Sequence, residues 1–226
     1  MAHKSKRYQD SQKLIDKLRK YDIKEAIHLL KDLKKAKFDE TVEIAMKLGV
    51  DPKRSDQLVR GSISLPKGIG KQLKVVVFAT GEKAELAKKA GADEVGAEDL
   101  AKKIEGGWAD FDVAIASSDM MRIVGKLGRI LGPQGKMPSP KSGTVTDNIE
   151  TAVSEFKAGK IEYRTDAGGN VQASVGRLSF SEGDLMDNIL AFISHITSLR
   201  PPTVKGTFVQ KVFISSTMSP SIRLAV

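Results

Sequence analysis

The 226-residue chain contains no cysteine. That absence excludes disulfides, thiolate metal sites and cysteine nucleophiles, and it fits a reducing compartment. Aromatic residues make up only 5% of the chain, too few for broad base-stacking platforms. Long apolar runs are missing as well. The best, around 75–79 and 189–193, fall far short of the roughly 20 residues that span a bilayer. Residues 1–7 are positive, but no apolar stretch follows, so they do not read as a signal peptide. No membrane partner is implied, and a cytoplasmic protein is expected. Only three histidines occur, His3, His28 and His195, and their scatter shows no ligand spacing, so no metal site is expected. No pair of carboxylates stands out for acid–base work. Nucleotide-binding patterns fail where they can be checked. Gly68-Ile69-Gly70 precedes a strand instead of following one, with Leu73 where the third glycine belongs. Gly135-Lys136 has Ile130 where a phosphate loop needs its first glycine. Neither an enzyme nor a cofactor is expected.

What the chain does have is positive charge, unevenly placed. Lysine and arginine number 37 against 28 aspartates and glutamates, a net +9. Residues 1–67 carry 17 basic and 10 acidic side chains, residues 68–158 carry 13 of each, and residues 159–226 carry 7 and 5. The excess therefore lies in the two outer segments. A polyanion partner for those segments alone would account for it, and so would lysines that merely solvate helix faces. With 40% hydrophobic residues the chain has enough apolar material to fold.

Periodicity divides the chain in the same places. Residues 13–20 read as a short basic helix. Asp22 and Glu25 form a capping-box start to a helix whose apolar stripe is Ala26, Ile27, Leu30 and Leu33. Val42, Ile44, Met46 and Leu48 alternate with polar residues, a half-buried strand, and Val59, Ile63 and Leu65 suggest a second. A linker is expected at 65–71. Beyond it the texture changes to valine-rich strands at 73–79, near Val95 and at 111–116, alternating with helices at 82–90, 98–104, 119–131 and 147–156. A second linker is expected at 157–160. Strands then follow at 161–164 and 171–175, joined by a Gly168-Gly169 turn. A helix capped by Ser181 carries Leu185, Ile189, Phe192, Ile193 and Ile196 inward, and 207–214 is a final strand. Neither outer segment is large enough to bury a core alone; together they supply about four strands and two or three helices. The expected fold is an α+β split domain, an antiparallel sheet with helices, carrying an inserted α/β three-layer Rossmann-like domain. The boundaries are 1–67 plus 160–226, and 68–159.

Three stretches invite a chemical reading. Lys37-Phe38-Asp39-Glu40-Thr41 puts an aromatic beside a lysine just before a strand. Phe38 there could stack on a base while Lys37 and Thr41 meet phosphate or ribose, although an isolated phenylalanine is more often core. Residues 215–221 are small and hydroxyl-rich, suited to close approach and 2′-hydroxyl readout, or to an ordinary polar turn. Residues 125–138 run from a glycine-spaced helix end into a cationic Gly/Pro loop, which would serve phosphates or simply close the sheet.

Several stretches match, in order, over nearly the whole chain. They are Lys37 to Val42, Asp51-Pro52-Lys53, Arg60-Gly61, Leu65-Pro66-Lys67-Gly68-Ile69-Gly70-Lys71, Leu127-Gly128-Arg129-Ile130-Leu131-Gly132-Pro133, Met137-Pro138, Gly143-Thr144-Val145-Thr146 and Ser216-Thr217-Met218. In these the sequence resembles the ribosomal protein L1 family of the bacterial large subunit. The resemblance implies a structural constituent of the large ribosomal subunit that binds the L1-stalk region of 23S rRNA. It further implies association with release of deacylated tRNA from the exit site, and translational repression through binding of the protein's own operon mRNA. It places the RNA surface on the split domain, at Lys37, Phe38, Thr41, Lys47, Arg164, Asp166, Ser216, Thr217, Met218 and Ser219. The sequence departs from the family pattern at Ser219, usually glycine, and at Asp166-Ala167-Gly168-Gly169, usually with lysine second. Gln134 and Lys136 also stand where arginine and leucine are common. At Ser219 two readings stay open: a left-handed backbone strained by a side chain, or an ordinary backbone whose hydroxyl adds a contact to RNA, the reading preferred here because Pro220 follows.

Overall fold

A computed structural model describes residues 5–225; His3 lies outside the described residues. In chain order the elements are α1 (Lys6–Lys13), α2 (Ile23–Asp32), β1 (Thr41–Leu48), β2 (Arg60–Ser64), β3 (Val75–Phe78), α3 (Glu82–Lys89), β4 (Glu94–Gly96), α4 (Glu98–Glu105), β5 (Val113–Ala116), α5 (Met121–Val124), α6 (Gly128–Leu131), α7 (Ile149–Ala158), β6 (Lys160–Arg164), β7 (Asn170–Arg177), α8 (Glu182–Ser198), β8 (Val209–Ser216) and β9 (Ile222–Arg223). They fall into two compact units, one formed by the chain up to Gly70 with the chain from Ile161 onward, the other by Lys71–Lys160.

The first unit is built on an antiparallel sheet in the order β7-β1-β8-β9. Alternation in β1 sends Val42, Ile44, Met46 and Leu48 to one face, where they are fully buried. Val171, Val175, Val212, Ile214 and Ile222 join them from the neighbouring strands. Helices α2 and α8 cover this face with Ile27, Leu30, Ile189 and Phe192. Asp22 caps α2 by accepting the Lys24 N–H, and Ser181 caps α8 by accepting the Asp184 N–H. The other face of the sheet stays open. A separate two-stranded sheet joins β2 to β6.

Several details depart from the sequence reading. Residues 13–20 are not a helix. The basic helix lies earlier, at Lys6–Lys13, where Ser5 supplies the cap. After it, Asp16 accepts the Leu18 N–H and so draws the backbone away from helical pairing. Glu25 does not reach back to its own cap but pairs with Arg19 at 2.7 Å. The Gly168-Gly169 turn joins strands of two different sheets, not a hairpin. The strand expected at 207–214 runs from Val209 to Ser216, and a further strand, β9, follows it. The first unit thus holds six strands and three helices among the described residues. Residues 65–70 are no free linker. The fully buried Asn188 accepts the Lys67 N–H and donates to the Gly68 and Val175 carbonyls, while Ile69 is itself buried. Residues 157–160 are the end of α7 and the start of β6.

The second unit is a parallel sheet in the order β4-β3-β5. Every residue of β3 is buried, as a strand covered on both faces requires. Val75 and Val77 pack with Ala87 of α3 and with Val153 and Phe156 of α7. Val76 and Phe78 pack on the opposite side with Leu100 and Ile104 of α4 and with Leu127 and Leu131. The single helix expected at 119–131 is broken into α5, α6 and tighter turns, because Gly125 and Gly128 lower helix propensity within one short stretch.

Candidate nucleic-acid interface

The strand parity that buries Val42 and Ile44 also turns Glu40 inward, just before β1 begins. Glu40 is only 2% exposed. Such a carboxylate is costly to bury unless its oxygens are hydrogen-bonded. Here one oxygen accepts the Ala36 N–H at 2.7 Å. The other accepts the Met218 N–H at 3.0 Å and the Ser216 hydroxyl. Burial works against the charge, but the hydrogen bonds from Ser216, Ala36 and Met218 outweigh it and hold the carboxyl below its ordinary value.

Glu40 thereby ties the segment before β1 to the turn after β8. Thr41 and Thr217 reinforce the tie. The Thr41 N–H donates to the Thr217 hydroxyl oxygen, and the Thr217 N–H donates to the Thr41 carbonyl, both at 3.0 Å. The turn itself is closed by Ser219, whose hydroxyl oxygen accepts the Ser216 N–H at 2.8 Å and whose own N–H donates to the Ser216 carbonyl. No non-glycine residue among those described has a positive φ. Ser219 is therefore not a strained substitute, and its hydroxyl faces its own chain. On the opposite flank Asp39 accepts the N–H and hydroxyl of Ser179, and the Asp39 carbonyl accepts from Arg177.

The result is a rigid rim from which side chains project. Lys37 is exposed, Phe38 is 55% exposed and Met218 48% exposed, beside the exposed Thr217. Phe38 is thus a surface aromatic and not core. A base could lie against Phe38 and Met218, while Lys37 and the exposed Thr217 meet phosphate and ribose.

Lys47 and Asp166 are elsewhere. Lys47 stands six residues along β1 from Thr41, about 20 Å away at the usual strand rise. Its ammonium donates to the Gly168 carbonyl. Asp166 accepts the side-chain amide of Asn170 and the N–H groups of Asn170 and Gly168, which hold it below the usual carboxylate range and close its own turn. Arg164 is exposed on β6, in the other sheet. The ten residues therefore form one cluster, at Lys37, Phe38, Thr41 and Ser216 to Ser219, with a separate pair and a single arginine.

Sequence reasoning missed Glu40, Asp39, Arg177 and Ser179 as the groups that position the rim. For Glu40 the signal was available in its even strand parity. The cationic loop fares differently. The N–H groups of Gly132, Gly135 and Lys136 donate to carbonyls of the same stretch, and Lys136 donates to the Ala109 carbonyl with its ammonium 5.0 Å from the Phe111 ring centre. These amides are engaged internally, so they form no phosphate cradle. Among the described residues no group of histidines and carboxylates has a metal-binding arrangement, and no helix is long and apolar enough to cross a membrane.

Comparison with known proteins adds a separate line. A family model described as the ribosomal protein L1p/L10e family matches residues 30–220. The large ribosomal subunit protein uL1 of Thermosipho melanesiensis is 53% identical over 225 residues, covering 99% of this chain and 97% of that one. Its namesake from Thermosipho africanus is 54% identical over 225 residues with the same coverage. That of Lactiplantibacillus plantarum is 52% identical over 224 residues, 99% and 98% of the two chains.

Proposed function

The chain belongs to the ribosomal protein L1p/L10e family, and from that premise we propose that the rim around Glu40 binds the L1-stalk region of 23S rRNA within the large ribosomal subunit. The protein is not an enzyme. One observation supports the site above the rest: a buried carboxylate fastens two chain segments so that an aromatic, a thioether, a lysine and two threonines share one exposed edge. A surface fixed in advance loses little freedom when RNA arrives. Charge supports the same unit, which holds 23 basic and 15 acidic side chains against 14 and 13 in the other. The same rim takes a similar structure in the protein's own operon mRNA, so that unassembled protein represses its translation. In the assembled subunit the protein acts where deacylated tRNA leaves the exit site.

Filter binding with three probes tests this: a 23S stalk fragment, a scrambled RNA of equal length, and duplex DNA. The stalk fragment is expected to bind tightest. Thr217→Val, which removes the hydroxyl from the rim, is expected to weaken it about tenfold or more, and Thr217→Ser to restore much of the loss. Equal affinity for all three probes overturns the proposal.

A further inference from the structure

The open face of the four-stranded sheet carries one row that crosses every strand. Gln172, Ala45, Phe213 and Arg223 stand opposite one another in β7, β1, β8 and β9. Their neighbours Ile214 and Ile222 are buried, so Phe213 and Arg223 point outward. Ala45 is small, which leaves the Phe213 ring uncovered on that side. On the other side, α1 and the turn after it rise beside the β8–β9 edge and enclose a groove of about 270 Å³. Tyr8, Gln12, Asp16, Lys17, Phe213 and Arg223 line it. The Tyr21 hydroxyl accepts the Asp16 N–H at 2.9 Å, which fixes this residue at the groove wall.

We propose that this groove is a pocket for one unpaired nucleotide of the RNA held by the Glu40 rim. The proposal rests on the RNA-binding reading above and names a site on the same unit. Each part of a nucleotide finds its match. The outward Phe213 ring offers a face for a base. The Asp16 carboxylate, one of whose oxygens already accepts the Leu18 N–H, brings its other oxygen as an acceptor to a base edge. Lys17 and Arg223 set two cations against that one carboxylate, which suits a phosphate and disfavours a cationic partner. The groove is also continuous with the rim: Pro220, part of its wall, follows Ser219 directly and accepts that residue's hydroxyl at its carbonyl. An RNA strand leaving the Thr217 turn meets the pocket next. The groove has room for a single base and not for a duplex.

The absence of cysteine makes the test clean, since Ser221→Cys places a single thiol in the groove wall. The full chain so changed, labelled with an azidophenacyl group, is bound to the 23S stalk fragment and irradiated, and the crosslink is mapped by reverse-transcription stops. The expected result is one stop at an unpaired nucleotide. Phe213→Leu is expected to weaken binding about tenfold while urea unfolding stays unchanged, because the ring faces outward and the replacement keeps the apolar contact. Binding without a crosslink, crosslinks to paired nucleotides, or unchanged affinity in folded Phe213→Leu overturns the pocket alone. Failure of the unlabelled chain to bind the fragment overturns the RNA-binding proposal beneath it.

Discussion

Glu40 shows how one side chain can organise a surface it does not belong to. Its second oxygen serves two donors, the Ser216 hydroxyl and the Met218 N–H. Glutamine cannot accept at both of its terminal atoms, so Glu40→Gln leaves a buried donor unpaired and is expected to cost about 1–3 kcal/mol in urea unfolding. The pH dependence has a definite sign. Folding lowers the carboxyl below its ordinary value of 4.5, so its stabilisation is complete above that pH and disappears as pH falls through the folded value. The gap between wild type and Glu40→Gln should be widest at neutral pH and narrow in acid below 4.5. A gap that widens in acid would contradict the clamp. Ser219 carries the opposite lesson. Its hydroxyl closes a turn and its backbone is relaxed. Ser219→Gly is therefore expected to lose about 1 kcal/mol of stability. RNA affinity of the folded protein should stay nearly unchanged, measured by melting and filter binding in parallel. At this scale, where the structure exposes Phe38 and Met218, the sequence read an isolated Phe38 as more often core and pointed to Met218 only through the family resemblance. It hid the clamp, because Glu40 and Ser216 are 176 residues apart and meet only through the register of β1 with β8.

Elements were legible where one period dominated. The parity of Val42, Ile44, Met46 and Leu48 gave β1, and the run of valines gave a strand covered on both faces. Reading failed where local hydrogen bonds compete with periodicity. Residues 13–20 have helical spacing, yet Asp16 bonds the backbone two residues on and ends the helical pattern. The broken stretch 119–131 makes a sharper test. Gly128 has ordinary right-handed helical angles, and a β-carbon there would meet nothing within 4 Å. Gly128→Ala should therefore raise stability by up to about 1 kcal/mol. At Gly132 a β-carbon would lie 2.5 Å from the Gly128 carbonyl oxygen, so Gly132→Ala should destabilise the same unit. Chemical unfolding followed by Trp108 fluorescence, which reports from that unit, distinguishes the two. A stabilised Gly132→Ala would show that the break is incidental.

At the scale of the whole molecule, charge and chain contact divide the protein in nearly the same place. A chain joining 5–70 to 161–225 through a short linker is expected to fold and to bind the stalk fragment almost as well as the full protein; tighter binding by 71–160 alone would contradict this. Salt gives a second measurement. Each lysine–phosphate contact adds about −0.7 to −0.9 to the slope of log K against log salt. Affinity should fall with that dependence while preference for the stalk fragment over scrambled RNA survives. A preference that vanishes as salt rises would mark a purely electrostatic binder. The charge asymmetry and the two textures were readable from composition. The anchoring of 65–70 by Asn188 was not, because nothing local to either segment announces it. The clamp between Ala36, Glu40 and the 216–219 turn also has a meaning in time. A ribosome making this chain produces the first half of the rim early and the second half only after some 176 further residues. Until β8 has emerged and paired with β1, Glu40 is a solvated acid and Phe38 a loose side chain, and the edge proposed to meet RNA is not assembled. Messages cut short, or chains stalled before residue 216, therefore yield products that carry most of the positive charge but cannot present the assembled edge. On the proposed function, synthesis of the 216–219 turn is itself a condition for recognition.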